Sequence, residues 1–365
     1  MKEYNMLKKS LLALAASLVS VSAANAATVY NNEGTSLSLG GRLQGNVNSV
    51  FADKYFDETE SHKVKLQGAA RLNVDAKTRI YDGVNAVAFG EWEVASESSE
   101  NGKFDTRYAT VGIETDHFGS VKFGQTESAI YNTLSVTDMF EDVGFAANTF
   151  GDYADGGRQE GQIIYAIDGL NGFNFATSFQ SAGLDGVESG AAVSLGYTFN
   201  EEVFPVYLSA GYDTYDLDYV HGIDQNPAED EASLTEYLSK DSFAFGLSLG
   251  DLDDGFYGAA AYQLSKYARH DNYRLSNTNS YEVVAGYGIS GWQFLLGYEN
   301  RQIGGMTVVN DINAEIKYNF NEQFLVYSDA SFATSKHTDN KTLPEKTRFK
   351  DNNHNWFTAG VQYNF

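Results

Sequence analysis

Residues 37–51 read LSLGGRLQGNVNSVF. Odd positions carry Leu37, Leu39, Leu43, Val47 and Phe51, with the small residues Gly41, Gly45 and Ser49 between them. Even positions carry Ser38, Gly40, Arg42, Gln44, Asn46 and Asn48. Successive side chains of an extended chain point to opposite sides, so this period of two marks a strand with one apolar and one polar face. The same alternation recurs outward from it. Val64, Leu66, Gly68, Ala70, Leu72 and Val74 oppose Lys65, Gln67, Arg71, Asn73 and Asp75. It returns over 191–199, 243–249 and 310–320, and ends with Phe357, Ala359, Val361, Tyr363 and Phe365 against Thr358, Gly360, Gln362 and Asn364. A water-soluble sandwich would alternate in the same way, so the strands alone leave the architecture open.

The connections narrow it. Long ones fall near 52–62, 96–103, 126–159, 181–189, 214–241, 266–279, 301–306 and 335–355. Between them come short turns rich in Asp, Asn and Gly near 77–83, 116–119, 168–172, 200–204, 250–255, 288–291 and 320–323. Such residues suit tight hairpins. The strands between them number about 16, an even count with every long loop at one end, as in outer-membrane barrels. Closure satisfies each backbone polar group in lipid and leaves no open edge. The expected fold is therefore all-β: a 16-stranded antiparallel transmembrane β-barrel in one domain, with no linker and no repeat beyond the hairpin.

The N-terminus is of another kind. MKEYNMLKKS is basic, LLALAASLVSVSAA is apolar, and Ala24-Asn25-Ala26 is a small-residue cleavage site. This is the three-part pattern of a secretory signal peptide over 1–26, leaving 27–365 as the barrel domain; either Met1 or Met6 could begin it. Cleavage removes Lys2, Lys8 and Lys9 against Glu3, so the exported chain is more negative than the −24 of the whole sequence. No later stretch approaches the roughly 20 consecutive apolar residues of a membrane helix. The 24 Tyr and 24 Phe suit the two interfaces of a membrane barrel. The absence of Cys removes disulfide frameworks and thiolate metal sites. The negative balance opposes nucleic-acid binding, which needs basic surfaces.

One connection stands apart. Residues 125–159, QTESAIYNTLSVTDMFEDVGFAANTFGDYADGGRQ, lack sustained alternation and place Asp138, Glu141 and Asp142 within five positions. Loops this long are usually functional or disordered. Tyr131, Leu134, Met139, Phe140, Phe145, Phe150 and Tyr153 argue against disorder, because such residues seek burial. The expectation is a loop, about 126–159, folded into a wide barrel and narrowing a water-filled lumen.

With these residues in view, the mature chain resembles the general, non-specific trimeric porins of the Gram-negative outer membrane, of the marine γ-proteobacterial type. The resemblance rests on ATVYNNEGTSLSLGGRLQG, FGEWEV, FGSVKFGQ leading into the loop, VTDMFEDVG within it, and the terminal Phe365. It implies a homotrimer in the outer membrane, passing small hydrophilic solutes and ions passively, without catalysis or a cofactor. Phe365 resembles the signal read by the barrel-insertion machinery. The family pits basic wall residues against acids on the infolded loop. By motif, Arg42 (GGRLQG), Arg71 (AARLN), Arg107 (DTRYA) and Arg158 (GGRQEG) match the basic positions, and Asp138 and Asp142 the acidic ones, with Glu141 beside them. The family's frequent Pro-Glu-Phe-Gly-Gly at the loop tip reads Glu141-Asp142-Val143-Gly144-Phe145 here, and the extra acid implies a more electronegative eyelet; with the negative charge of the whole chain, modest cation selectivity is expected. Arg42 and Arg71 also fall on polar strand faces. A charge on the lipid face costs about 2–4 kcal/mol at the midplane, so both are expected to point inward.

Other features have plainer readings. Gly286-Tyr287-Gly288-Ile289-Ser290-Gly291 matches a dinucleotide fingerprint, but Trp292–Tyr298 continues at strand period where a helix is needed. The six His (62, 117, 221, 270, 337, 354) are scattered over loops and turns and form no helical zinc pair. The acidic clusters Asp57-Glu58-Glu60, Glu229-Asp230-Glu231 and Asp251-Asp253-Asp254 do not have EF-hand spacing; they read as solvated acids, with calcium or magnesium bridging to lipopolysaccharide as the sharper alternative. Trp92, Trp292, Tyr298, Tyr318, Trp356 and Tyr363 read as interface girdle or trimer contact rather than a sugar slide. The rival functions are a substrate-selective porin, for example for oligosaccharides, and a barrel acting mainly as adhesin or phage receptor.

Overall fold

The computed structural model describes residues 26–50, 63–97, 102–149, 157–181, 187–200, 203–217, 238–269, 274–334 and 355–365. The expected signal segment up to residue 25, the clusters Asp57-Glu58-Glu60 and Glu229-Asp230-Glu231, Phe150 and Tyr153 of the long loop, and His62, His221, His270, His337 and His354 lie outside the described residues.

In chain order the strands are β1 (Ala27–Asn32), β2 (Thr35–Val50), β3 (Lys63–Tyr81), β4 (Val84–Val94), β5 (Phe104–Thr115), β6 (Gly119–Glu127), β7 (Arg158–Leu170), β8 (Phe173–Gln180) and β9 (Val187–Phe199). They continue as β10 (Val206–Leu217), β11 (Leu238–Gly250), β12 (Gly255–Arg269), β13 (Arg274–Ile289), β14 (Trp292–Ile303), β15 (Met306–Asn319), β16 (Phe324–Ala333) and β17 (Trp356–Asn364). From β2 onward each strand pairs antiparallel with the next, and β17 closes on β2 from Trp356↔Val50 to Asn364↔Arg42. The short β1 takes the rest of that same edge, from Ala27↔Leu39 to Asn32↔Thr35. β1 and β17 thus lie end to end as one position, and the barrel has 16 strand positions, as the hairpin count requires. The seam is held by Gly41 N–H to the Phe365 carbonyl at 2.8 Å and Phe365 N–H to the Gly41 carbonyl at 3.0 Å.

Two connections expected to be long are not. β14 and β15 are joined by Gly304-Gly305 alone, and β12 and β13 run on to Arg269 and back from Arg274. The strands simply continue through sequence whose polarity suggests loop. The glycine fingerprint is a hairpin: Ser290 (φ 51°) and Gly291 (φ 85°) form the two-residue turn between β13 and β14. Two consecutive positive φ values match the twist of the flanking strands.

Burial inverts the pattern of a water-soluble protein. Outward positions are exposed and apolar, such as Leu43, Leu66, Val111, Leu195, Phe245 and Ile316, whereas buried inward positions hold Gln44, Asn48, Asn73, Gln162, Gln263 and Gln362. Arg42 and Arg71 sit opposite each other on the inward face. Aromatics gather at both rims. Trp292 lies 4.7 Å from Tyr318, which lies 4.7 Å from Phe320, at the short-turn end. Tyr212–Phe243 and Tyr281–Tyr298 pair nearer the long loops, at 4.9 and 5.9 Å. These are the interface girdles of a membrane barrel. Trp356 is the exception among the aromatics singled out: it shares the inward parity of buried Thr358 and donates its ring N–H to the Thr358 hydroxyl at 2.6 Å.

Candidate functional site

The connection from β6 to β7 enters the barrel. It begins with one helical turn, Tyr131–Leu134, followed by a 3-10 turn over Ser135–Thr137. Ala129, Ile130 and Leu134 are almost completely buried against the wall. The approach is close because the wall has no side chain where the turn rests. A Cβ at Gly246 would stand 2.2 Å from the Thr133 carbonyl oxygen, and one at Gly297 2.9 Å from the Phe140 ring. Gly144 and Phe145 then turn the chain with φ of 80° and 59°. A bulky residue in the left-handed region is strained; here the Phe145 ring packs edge-on against Tyr131 at 5.8 Å.

Acids on four consecutive strands accept the loop's backbone N–H groups. Glu315 on β15 takes Glu141 N–H at 2.8 Å, and Asp329 on β16 takes Asp142 N–H at 2.8 Å. Glu299 on β14 takes Ala146 N–H at 2.8 Å. Glu282 on β13 takes Ala147 and Asn148 N–H at 3.1 and 3.3 Å and meets the Thr137 hydroxyl at 2.6 Å. Each bond to an amide satisfies a backbone N–H that has no partner in the sheet. Beyond them Gln263 accepts from Thr149 N–H at 2.7 Å, and the fully buried Lys240 donates to the Thr149 carbonyl at 3.3 Å. The loop is fastened along its described length.

The three acids picked out from sequence are not equivalent. Asp138 and Asp142 are exposed to the lumen. Asp138 accepts from the Tyr131 hydroxyl at 2.7 Å, and Asp142 from the Tyr327 hydroxyl at 2.6 Å and from Gln44 at 3.4 Å. Glu141 is tucked away, with its carboxylate 3.0 Å from Lys317 on β15. Burial alone would raise the Glu141 carboxyl, but Lys317, Arg42 and Arg71 outweigh it and hold the group below its ordinary value.

The four arginines come from the side that the loop leaves open. Arg71 lies in the field of Arg42 and Arg107, with Glu91 and Glu93 close by. Arg107 donates to Glu91 at 2.7 Å and stands 3.8 Å from Glu93. It lacks a cross-strand partner: Glu91 faces Tyr108 and Trp92 faces Thr106. Arg107 is therefore the extra residue of a β-bulge, which re-aims side chains and disrupts the ladder. Arg158 pairs in register with Glu127 just beyond a second irregularity on β6–β7, and its guanidinium lies 5.7 Å over the Tyr108 ring. Tyr108 in turn donates to Glu127. These bulges explain why the alternation is unclear at Arg107 and Arg158.

Sequence reasoning missed Lys317, the acids Glu282, Glu299, Glu315 and Asp329, and the glycine seats. A signal for the acids existed. Glu282, Glu315 and Asp329 each occupy an inward position between outward apolar or small neighbours, and Glu299, between Tyr298 and Asn300, completes a row of acids on four strands in succession.

A closed barrel with an apolar exterior, a polar interior and a loop pinned inside it is a membrane-spanning channel of the outer-membrane type. The chain belongs to the Gram-negative porin family, whose model matches residues 11–365. Porin-like protein L of Photobacterium profundum is 26% identical over 98% of this chain and 100% of its own. Among solved structures, Salmonella typhi OmpF in complex with daunomycin superposes with a TM-score of 0.71 at 19% identity, covering 93% of this chain and 100% of that one. OmpT of Vibrio cholerae in its trimer form gives 0.66 at 15% identity, over 91% and 100%. The protein is an integral outer-membrane barrel and a channel for passive diffusion of small hydrophilic solutes.

Proposed function

We propose that the eyelet between the loop and the wall formed by β2–β5 and the start of β7 is the selectivity element and that it favours cations modestly. Arg42, Arg71, Arg107 and Arg158 form its basic side, and Asp138, Glu141 and Asp142 its acidic side. The observation that carries this reading is the lumen exposure of Asp138 and Asp142, while Arg107 is engaged by Glu91. Opposed charges set a field across the passage that orders water and aligns polar solutes, and the balance of signs sets ion preference. The channel works as a homotrimer in this reading, as the OmpT barrel is found to be. Contact with lipid and lipopolysaccharide, with calcium or magnesium bridging at the acidic loops, and delivery by the insertion machinery through Phe365 belong to the same proposal.

The test is single-channel recording in planar bilayers under a salt gradient, followed by a panel of sugars. Wild type should conduct in groups of three steps with a cation-favouring reversal potential, and Asp138→Asn/Asp142→Asn should lose most of that preference. An unchanged reversal potential in the double variant would sink the selectivity assignment. Concentration-dependent block by one sugar would mark a substrate-selective porin, and silence from folded, inserted protein would leave only a binding role.

A further inference from the structure

Lys317 occupies a place that neither the strand pattern nor the family motifs single out. It lies on the inward face of β15, two residues beyond Glu315, and is only 11% exposed. Its ammonium stands 3.0 Å from Glu141 Oε1 and 3.3 Å from Glu315 Oε1. The other oxygen of Glu315 accepts the Glu141 backbone N–H at 2.8 Å. Loop tip and wall are thus joined in a closed ring: Glu141 carboxylate to Lys317, Lys317 to Glu315, Glu315 back to the Glu141 amide.

The surroundings show what the cation does there. Glu315 faces Asp329 across the β15–β16 pair, and Asp329 accepts from the backbone of Asp142, itself an acid. Asp253, on the turn between β11 and β12, lies in the field of Lys317 as well. Acid groups of the loop and acid groups of the wall therefore crowd one side of the lumen. Crowded acid groups disfavour one another's ionised form unless a cation lies among them, and removing one partner of a buried pair leaves an uncompensated charge. Lys317 lies between the two sets.

We infer that Lys317 is the positioning and selectivity-setting residue of the constriction: it ties the acidic loop tip to an acidic wall and cancels the charge of Glu141, so that Asp138 and Asp142 are left to discriminate between ions. The cancellation rests on the eyelet reading proposed above; the tie rests on the contacts alone.

The experiment compares wild type with K317M, K317R, E141Q and K317M/E141Q in planar bilayers, with heat-modifiable gel migration to show that each barrel is folded. K317M should shift the reversal potential toward cations and add brief closures as the tip loosens. E141Q should shift it the other way, by uncovering the lysine. K317M/E141Q should return close to the wild-type potential with a quiet open level, and K317R should match wild type. A lysine that served packing alone would leave the potential unmoved in K317M. That result, or a double variant as cation-shifted as K317M, would overturn the inference. If K317M does not fold, the charge swap E141K/K317E takes its place: quiet channels near the wild-type potential support the tie, and persistent closures overturn it. All shifts are measured against wild type. A wild-type channel without cation preference would therefore refute the eyelet reading while leaving this one to stand or fall by its own variants.

Discussion

Beneath the loop, β9–β16 turn glycines, serines and acids into the lumen, and nearly all of them are buried. On the open side, β2–β5 turn Arg42, Arg71 and Arg107 into the same space, and these keep contact with the water column. Both walls follow the same alternation, apolar out and polar in. They differ in what the polar groups are for. Under the loop, Glu282, Glu299, Glu315 and Asp329 serve as acceptors for backbone N–H groups that have left the sheet and would otherwise be unsatisfied. On the open side Arg42 and Arg71 face the permeating solute, while Glu91 holds Arg107. An acid in this barrel therefore takes its role from the wall it stands on, and a count of acids and bases does not give the pore's selectivity.

The hardest way to break this contrast is to remove a seat. Gly246→Val would place a branched side chain where even a Cβ meets the Thr133 carbonyl at 2.2 Å. Overpacking typically costs about 1–3 kcal/mol, and here the movable element is the loop, not the closed ladder. Gly246→Val should insert as a folded barrel with the loop lifted from the wall, conduct more, and admit larger sugars in liposome-swelling assays. Wild-type permeability in a folded Gly246→Val barrel would mean that the loop does not rest on β11.

A smaller effect is expected from the acceptors. Glu282→Ala leaves the Ala147 and Asn148 amides without their acceptor, and an unsatisfied buried donor costs about 1–3 kcal/mol. Arg42→Ala on the open wall removes none of the hydrogen bonds that fasten the loop. Glu282→Ala should speed protease nicking of the loop and leave the reversal potential nearly unchanged. Arg42→Ala should do the reverse, shifting the potential toward cations with the loop still protected. The shift should fade near 1 M salt, where the Debye length is about 3 Å. Should Glu282→Ala move selectivity as far as Arg42→Ala does, the two walls would not be distinct in function.

The same division decides what could be read from residues alone. The barrel was legible because period two, tight turns and the spacing of long connections are local signals, and the lipid face forbids Arg42 and Arg71 from pointing outward. Loop entry was legible from its lost alternation and its aromatics. The inward aim of Arg107 and Arg158 was not, because a bulge shifts parity by one residue and the pattern around it no longer says which way a side chain points. Nor was the ring of Glu141, Lys317 and Glu315, in which loop and wall residues meet across 174 and 176 positions of chain. A cross-lumen contact leaves no periodic trace. Trp356 departs from the girdle for a simpler reason: residue type points to the interface, but its parity, shared with Thr358, points inward, and parity wins.

Acid titration gives the finest separation of the two kinds of acid. Glu141 is held below its ordinary value, because Lys317, Arg42 and Arg71 together outweigh the burial that would raise it. A carboxyl depressed in the folded state contributes stability above its unfolded value, about 4.3 for Glu, and loses that contribution as pH falls through the lower folded value. The tie of the loop tip should therefore persist from neutral pH down to about 4.3 and weaken only below. The measurement is the reversal-potential difference between wild type and E141Q as a function of pH. It should stay level over that range and shrink toward zero beneath it, as protonation makes the two side chains alike. A difference that already vanished near pH 6 would mean a carboxyl raised by burial with no cation beside it, and so would take Glu141 off Lys317.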